Sequence, residues 1–395
     1  MNEYISDIDR LIKVFLSTLA IIITIGLIMV WSASFILATE KFGSSFHYIF
    51  RQLTYLGLSV ILAYTVSRTK YTFWIKYGYL INIAASLIVG LTVIKGVGSA
   101  AKGASRWLTF GGMSIQPGEI VKFTVILSAI SFFENWNKMD STERFKHGGS
   151  LFFPLFLLIK QPDFGSFSIC FIVIAFVCFM SSFPRKYFYY SLVGGGVGGL
   201  MILFSQAYRV KRMLTYLDPW KNPQGSGFQI IQSYMAFANG SVFGQGLGNS
   251  NEKLFYLPEA HNDFIFSVIG EELGFVGVFL IISLFIAFIY FGFKLVLQIK
   301  DRVGIILGSA IIFVLGLQSL LNMGVVLGLL PTKGLNLPFI SYGGSSLICN
   351  FFGIGLLLSV VKGYRDQLLG DLGNGTHSGR KIQNEAQETE EEIYV

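Results

Sequence analysis

Residues 11–31, LIKVFLSTLAIIITIGLIMVW, carry a single charge, Lys13, over a length that crosses a bilayer as a helix. A spanning helix needs about 20 largely apolar residues, because the hydrocarbon is about 30 Å thick and each residue rises about 1.5 Å. The rest of the chain has the same character. Of its 395 residues 53% are hydrophobic and 13% charged, and the mean hydropathy is +0.60. That composition predicts an all-α polytopic membrane protein with about ten transmembrane helices. The spans fall near residues 12–33, 47–67, 74–94, 115–133, 150–163, 167–184, 187–206, 262–293, 303–328 and 340–361. Ser32-Ala33-Ser34 mimics a signal-peptidase site, but the preceding apolar core is too long for a typical cleaved signal, so an uncleaved first span is expected.

Basic residues recur on alternate sides of these spans: Arg10 and Lys13, then Arg68, Lys70 and Lys76, then Lys138, Arg144 and Lys146, and onward to Lys362 and Arg365. By the positive-inside rule both termini are cytoplasmic. The net charge of +7 is scattered over short loops and forms no stripe of the kind that binds nucleic acid. Cys170, Cys178 and Cys349 all lie in apolar spans and read as packing residues. His47, His147, His261 and His377 are too dispersed for a metal pair, so no metal ligands are assigned. No cofactor motif is evident, and a divalent cation, Mg or Mn, stays open. GQGLG at Gly244–Gly248 lacks the strand and crossover of a dinucleotide fold and reads as a flexible turn.

Two hydrophilic stretches lie on the outer side, a short one at 95–114 and a large extracytoplasmic loop at 208–261 between the seventh and eighth helices. Within the large loop, Ile231, Tyr234, Met235 and Ala238 recur at helical spacing opposite Gln229, Gln232 and Ser233, which predicts a short amphipathic helix. From Asp366 the chain turns polar and acidic, so residues 1–365 form the membrane domain and 366–395 a disordered cytoplasmic tail.

The chemistry concentrates in Asn222–Gly274, where Lys253, Glu259, His261, Asp263, Glu271 and Glu272 gather beside apolar sequence. Ionisable groups beside spans call for a specific reason. If Lys294 marks the inner end of the eighth span, the hydrocarbon ends near Gly274 and Asp263 stands roughly 16 Å farther out on the same helix. Asp263, Ser267 and Glu271 then form one polar stripe, which should face a cavity. A carboxylate flanked by Phe264, Ile265 and Phe266 suits a general base toward a sugar hydroxyl. Lys122, Arg209, Lys211, Arg212, Lys253 and Lys333 are candidates to stabilise a pyrophosphate leaving group. Glu119 and Lys122 share a helix face after Pro117, as a structural ion pair or as part of the site. Asp163, in a Pro-Asp-Phe-Gly setting, reads as a capping carboxylate. At Gly328–Ser346 a glycine-serine helix start presents backbone amides that either cradle an anion or make a plain turn. Spacing alone leaves catalysis and transport both open.

At these residues the sequence resembles the SEDS family of bacterial cell-wall proteins, the group of FtsW, RodA and SpoVE. The likeness runs from the first span to about Arg365. It rests on RWLTFGGMSIQPGEIVKF, QPDFGSF, RVKRMLTYLDPW, NPQGSGFQIIQSYMAFANG, KLFYLPEAHNDFIFSVIGEELG and LLPTKGLNLPFISYGGSS. TKG in the last motif, with LPEAH before the aspartate, is closer to FtsW than to RodA. The resemblance implies a peptidoglycan glycosyltransferase that polymerises lipid II during septal wall synthesis in the bacterial inner membrane. Its partners would be a class B penicillin-binding protein of the FtsI type and other division proteins. Asp263 matches the family's essential aspartate, and Glu119 and Lys122 match its charged pair, with Glu259 and His261 as supporting residues. The matched motifs add Arg106, Gln116, Gln232, Ser233, Ser341, Tyr342, Gly343, Gly344 and Ser345 as substrate contacts. Gly118, Asn239 and Asn262 depart from the family's usual serine, serine and threonine. A lipid II flippase and a non-catalytic division scaffold are the competing functions.

Overall fold

The computed structural model describes residues 2–94, 99–101, 104–110, 113–204, 207–225, 227–252, 257–332 and 334–393. Among the described residues nine of the ten predicted spans overlap one helix each, and the third overlaps two. The first five helices are α1 (Asn2–Phe42), α2 (His47–Arg68), α3 (Tyr71–Lys76), α4 (Gly78–Val93) and α5 (Pro117–Asn135). Next come α6 (Ser141–Lys160), α7 (Phe164–Met180), α8 (Arg185–Phe204), α9 (Ala207–Leu217) and α10 (Phe228–Gly240). The last three are α11 (Ile265–Val296), α12 (Arg302–Val326) and α13 (Gly344–Ile393). Among the described residues α1, α2, α11, α12 and the first half of α13 are long and apolar enough to cross a membrane unaided. The chain is a multi-pass helical membrane protein.

Local sequence explains the helix boundaries that differ from the predicted ones. The fifth span starts at Ser141 because Asp140 and Glu143 make a reciprocal capping box ahead of the apolar run. The third is split at Tyr77 into α3 and α4. The short outer stretch is a three-stranded antiparallel meander in which β2 (Ala104–Phe110) pairs with β1 (Ser99–Ala101) and β3 (Met113–Ile115). α13 runs on to Ile393, where the composition predicts a disordered tail; no proline follows Pro338 to stop the helix.

α5 and α12 occupy the centre. α5 packs on α4, α6, α7, α12 and α13, and Phe123, Val125, Ile126 and Leu127 are buried on successive faces. A helix buried all round has no lipid-facing stripe, which is why this span tolerates Glu119 and Lys122. α1 crosses α11 at Ser32-Ala33-Ser34, and the Ser32 hydroxyl reaches both carboxylate oxygens of Glu272 at 2.8 and 2.6 Å. The small-residue patch is a helix crossing.

α11 is broken. Gly274 has φ 65° and ψ −165°, a conformation closed to residues with a Cβ, and it splits the element into two helical pieces. The loop after α10 fills the break. Gln245 and Gly246 donate their amides to the carbonyls of Glu271 and Glu272, each at 3.0 Å, while Phe275 and Val276 donate to Ser241 and Val242 at 3.0 and 3.1 Å. The GQGLG segment, expected to be flexible, is thus a fixed turn with left-handed glycines at 244, 246 and 248. The short helix predicted from Ile231, Tyr234, Met235 and Ala238 exists as α10, but Ile230, Ile231, Ser233, Ala236 and Gly240 are its buried residues and Met235 is exposed. It packs on α11, so Ser233 faces protein rather than solvent.

Candidate functional site

Asp263 lies in the turn before α11 and not on the helix, because α11 begins only at Ile265. The turn is built by Glu259. Its backbone is left-handed at φ 63°, its carbonyl accepts from Asn262 N at 3.0 Å, and its Oε2 accepts from Asn262 Nδ2 at 2.6 Å. A second segment, Gly334–Ser345, closes over this turn. Ser341 Oγ donates to Asn262 O at 2.7 Å and accepts from Leu337 N at 2.8 Å, and Tyr342 N donates to His261 O at 3.0 Å. Gly334 meets the aspartate side chain: a Cβ placed there would stand 3.2 Å from Asp263 Oδ2. A Cβ at this position would press on the carboxylate by a few tenths of an ångström.

His261 packs between Tyr48 and Tyr342, with ring centroids 5.0 and 5.7 Å away. Burial pushes its pKa down to about 4, despite the opposing pull of Glu259. At neutral pH it is an uncharged aromatic brace. The amides at the glycine-serine helix start are occupied too. Tyr342 N bonds His261 O, and Gly343 N bonds Gln52 Oε1 at 3.4 Å, so these two do not cradle an anion. Ser345 Oγ donates to Ser114 O and accepts from Gln116 N, both at 3.1 Å, and Gln116 Nε2 reaches Asp163 Oδ2 at 3.4 Å. Gly344 opens α13 against the ring of Tyr55. Asp163 caps α7 by accepting from Ser166 N at 3.2 Å.

Glu119 and Lys122 form a buried ion pair of 2.6 Å, with the residues 4% and 0% exposed. Lys122 Nζ also donates to Gln318 Oε1 at 2.6 Å, and Gln318 Nε2 donates to Asn336 O at 2.9 Å. One turn outward on α12, Asn322 Nδ2 donates to Asp263 O at 2.8 Å and to Leu335 O at 2.5 Å. Gln318 and Asn322 are absent from the sequence-based candidates. Their signal is legible in retrospect: two amides at i and i+4 inside the apolar run LGLQSLLNMG are costly unless they hold something.

Beyond Gly334 opens a cavity of about 410 Å³ between α7, α8, α9 and residues 331–334. Phe164, Phe167 and Phe171 make its apolar wall, and Arg106 and Arg212 bring cations to it. Arg106 Nη2 donates to Pro162 O, and Arg212 Nη1 approaches Thr332 O at 3.5 Å. A guanidinium presents its five N–H donors in a planar fork that suits the oxygens of an anion. Apolar walls with two cations in the lining suit an amphipathic molecule with an anionic head.

The other candidates divide clearly. Ser233 Oγ donates to Val326 O at 2.7 Å and so must accept the bond from Ser267 Oγ, also 2.7 Å; it is a packing residue. Gln232 is half-buried beside it on α10, and Lys211 is exposed on α9. Lys253, Lys333 and the side chain of Arg209 lie outside the described residues. Glu271, predicted to face a cavity, is enclosed by the loop: Ser250 Oγ, Asn251 N at 3.1 Å and Glu252 N at 3.3 Å all donate to it. Among the described residues no group of three or more His, Cys, Asp or Glu is placed to hold a metal ion.

Comparison with known proteins agrees with this architecture. Residues 12–366 match the FtsW/RodA/SpoVE family, described as cell cycle protein. The chain is 40% identical over 362 residues to the probable peptidoglycan glycosyltransferase FtsW of Geobacter metallireducens, covering 90% of this chain and 96% of the relative. It is 37% identical over 347 residues to stage V sporulation protein E of Bacillus subtilis, covering 87% and 94%. A chain of a solved peptidoglycan synthase complex that coordinates polymerization and crosslinking superposes with a TM-score of 0.69 at 29% identity, over 89% of this chain and 97% of its own. The rod shape determining protein RodA of Thermus thermophilus gives 0.63 at 25% identity, over 89% and 96%. The protein is a member of the FtsW/RodA/SpoVE family.

Proposed function

We propose that the protein is a peptidoglycan glycosyltransferase that polymerises lipid II into glycan strands for the division septum, with Asp263 as general base. The observation that carries this reading is Gly334, which lines the apolar, arginine-bearing cavity and where an added Cβ would stand 3.2 Å from Asp263 Oδ2. A lipid-linked sugar pyrophosphate has the matching parts. Its polyprenyl chain fits against Phe164 and Phe171, and its pyrophosphate fits Arg106 and Arg212.

Asp263 accepts the proton of the acceptor sugar's 4-hydroxyl as that oxygen bonds to the donor's anomeric carbon. The bond from the same carbon to the pyrophosphate breaks, and its electron pair leaves with undecaprenyl pyrophosphate, whose charge the arginines stabilise. Attack opposite the leaving group inverts the anomeric centre. A class B penicillin-binding protein is the expected partner, since a chain of a polymerization and crosslinking complex shares the fold. Both termini belong on the cytoplasmic side by their flanking cations. Purified protein with that partner should polymerise labelled lipid II, and Asp263→Asn should abolish the product while the protein stays folded. Undiminished polymerisation by Asp263→Asn would remove Asp263 from the mechanism.

A further inference from the structure

Gln318 and Asn322 stand in the centre of the bundle, one helical turn apart on α12, and both aim their donors at the two backbone segments that meet at Asp263. Interhelical amides ordinarily bond side chains or carbonyls of a neighbouring helix and use both ends. Here Gln318 does use both ends, on an ammonium and a loop carbonyl, and Asn322, among the described residues, does not. Lys122 has donors only, so its bond to Gln318 Oε1 fixes which way the amide points and leaves Nε2 directed at Asn336 O. Asn322 places its two Nδ2 hydrogens on Asp263 O and Leu335 O, while among the described residues its buried Oδ1 has no partner. A site that uses the donor half of an amide and leaves the acceptor half orphaned is selected for what those donors hold.

We infer that Gln318 and Asn322 are positioning residues, through which the Glu119–Lys122 ion pair sets the place of the Asp263 carboxylate against Gly334. The inference rests on the reading of Asp263 as the base. The order of connection is the ion pair, then the Gln318 amide, then the 334–336 backbone, with Asn322 tying that backbone to the Asp263 carbonyl. Glu119 holds the Lys122 ammonium, and Lys122 orients Gln318. Charge buried in the bundle thereby acts on the reacting carboxylate through two neutral amides, without touching substrate.

The test uses the full chain with its penicillin-binding partner, comparing wild type, Gln318→Met, Asn322→Leu and the double variant. Polymerisation of labelled lipid II gives kcat and KM, and hydrogen exchange of peptides covering 335–342 and 259–264 reports the segments directly. Each single variant should lower kcat by about 10-fold or more with KM for lipid II within about twofold, as expected for a displaced catalytic group with intact binding. The double variant should lose little more than the worse single one, because both amides act on the same backbone. Exchange should quicken at Leu337 and Tyr342. Wild-type kcat in the singles, losses that multiply in the double, or unchanged exchange would each overturn the inference. If Gln318→Met does not fold, Asn322→Leu carries the same comparison. Should wild type itself fail to polymerise, the enzymatic reading fails, while the exchange data still decide whether the amides hold the Asp263 segments.

Discussion

A methyl group added at Gly334 measures how closely the position of Asp263 is set. In Gly334→Ala the new Cβ would stand 3.2 Å from Asp263 Oδ2, closer than the roughly 3.3–3.6 Å of a favourable C–H···O approach. The backbone at Gly334 lies outside the left-handed region, so alanine is admitted there without strain. The carboxylate must therefore yield by a few tenths of an ångström. Misplacing a reacting group by about 1 Å costs about 100-fold in rate, so a shift of about 0.3–0.5 Å costs about 4- to 10-fold. Stability should hold or rise by about 0.4–1 kcal/mol, because alanine lowers the entropy of the unfolded chain. The assay is lipid II polymerisation by purified protein with its partner, read beside the melting temperature in the same detergent. A folded Gly334→Ala protein working at the wild-type rate would refute the placement of the reacting carboxylate beside this glycine.

Other perturbations separate structural from chemical carboxylates. Lys122→Met strands Glu119 in the bundle and should destabilise the protein by about 3–5 kcal/mol in denaturant titrations, whereas Glu119→Gln with Lys122→Met should recover most of that loss; equal stability of the single and double variants would contradict the buried pair. His261 binds a proton more readily unfolded, near pH 6.5, than folded, near 4, so stability should fall as pH drops from about 6.5 to 4, by up to about 3 kcal/mol, and His261→Phe should flatten that slope. Glu252 behaves oppositely: burial, reinforced by Glu271, raises its pKa to about 7, and its buried Oε2 has no partner among the described residues. Its ionisation costs stability as pH rises from about 4.5 to 7, so Glu252→Gln should raise the melting temperature at pH 8 and change it little at pH 4; no gain at pH 8 would show that the carboxylate is solvated.

The sequence carries the helical, membrane-spanning architecture because lipid demands long apolar runs, and those runs are visible residue by residue. Asp263, Glu119 and Lys122 stand out for the same reason: charge beside apolar sequence is rare. Two things were not legible. Helix arithmetic places Asp263 on an unbroken helix, whereas α11 starts at Ile265 and breaks at Gly274; periodicity registers neither the turn before it nor a single glycine taking φ 65°. Gln318 and Asn322 do not stand out in the sequence, because a neutral amide brings no charge to an apolar run. Their meaning appears only when α5, α12 and the 334–336 segment are brought together.

The broken helix also explains how three carboxylates within ten residues of chain acquire different roles. Glu271 and Glu272 precede the break, where their carbonyls would otherwise lack partners, and the loop at 241–252 meets both backbone and side chains. It donates amides to the two carbonyls, while Ser250, Asn251 and Glu252 saturate the Glu271 carboxylate. The single Ser32 hydroxyl of α1 donates to the Glu272 carboxylate, within reach of both of its oxygens. A carboxylate bound by several donors and closed off from solvent is a poor base, since its lone pairs are already engaged. Asp263, set before the helix begins and fixed through its backbone carbonyl, is instead half-buried and faces Gly334 at the cavity wall. Two of the carboxylates therefore tie the loop and α1 to the broken helix, while the proposed base is held in place by its main chain.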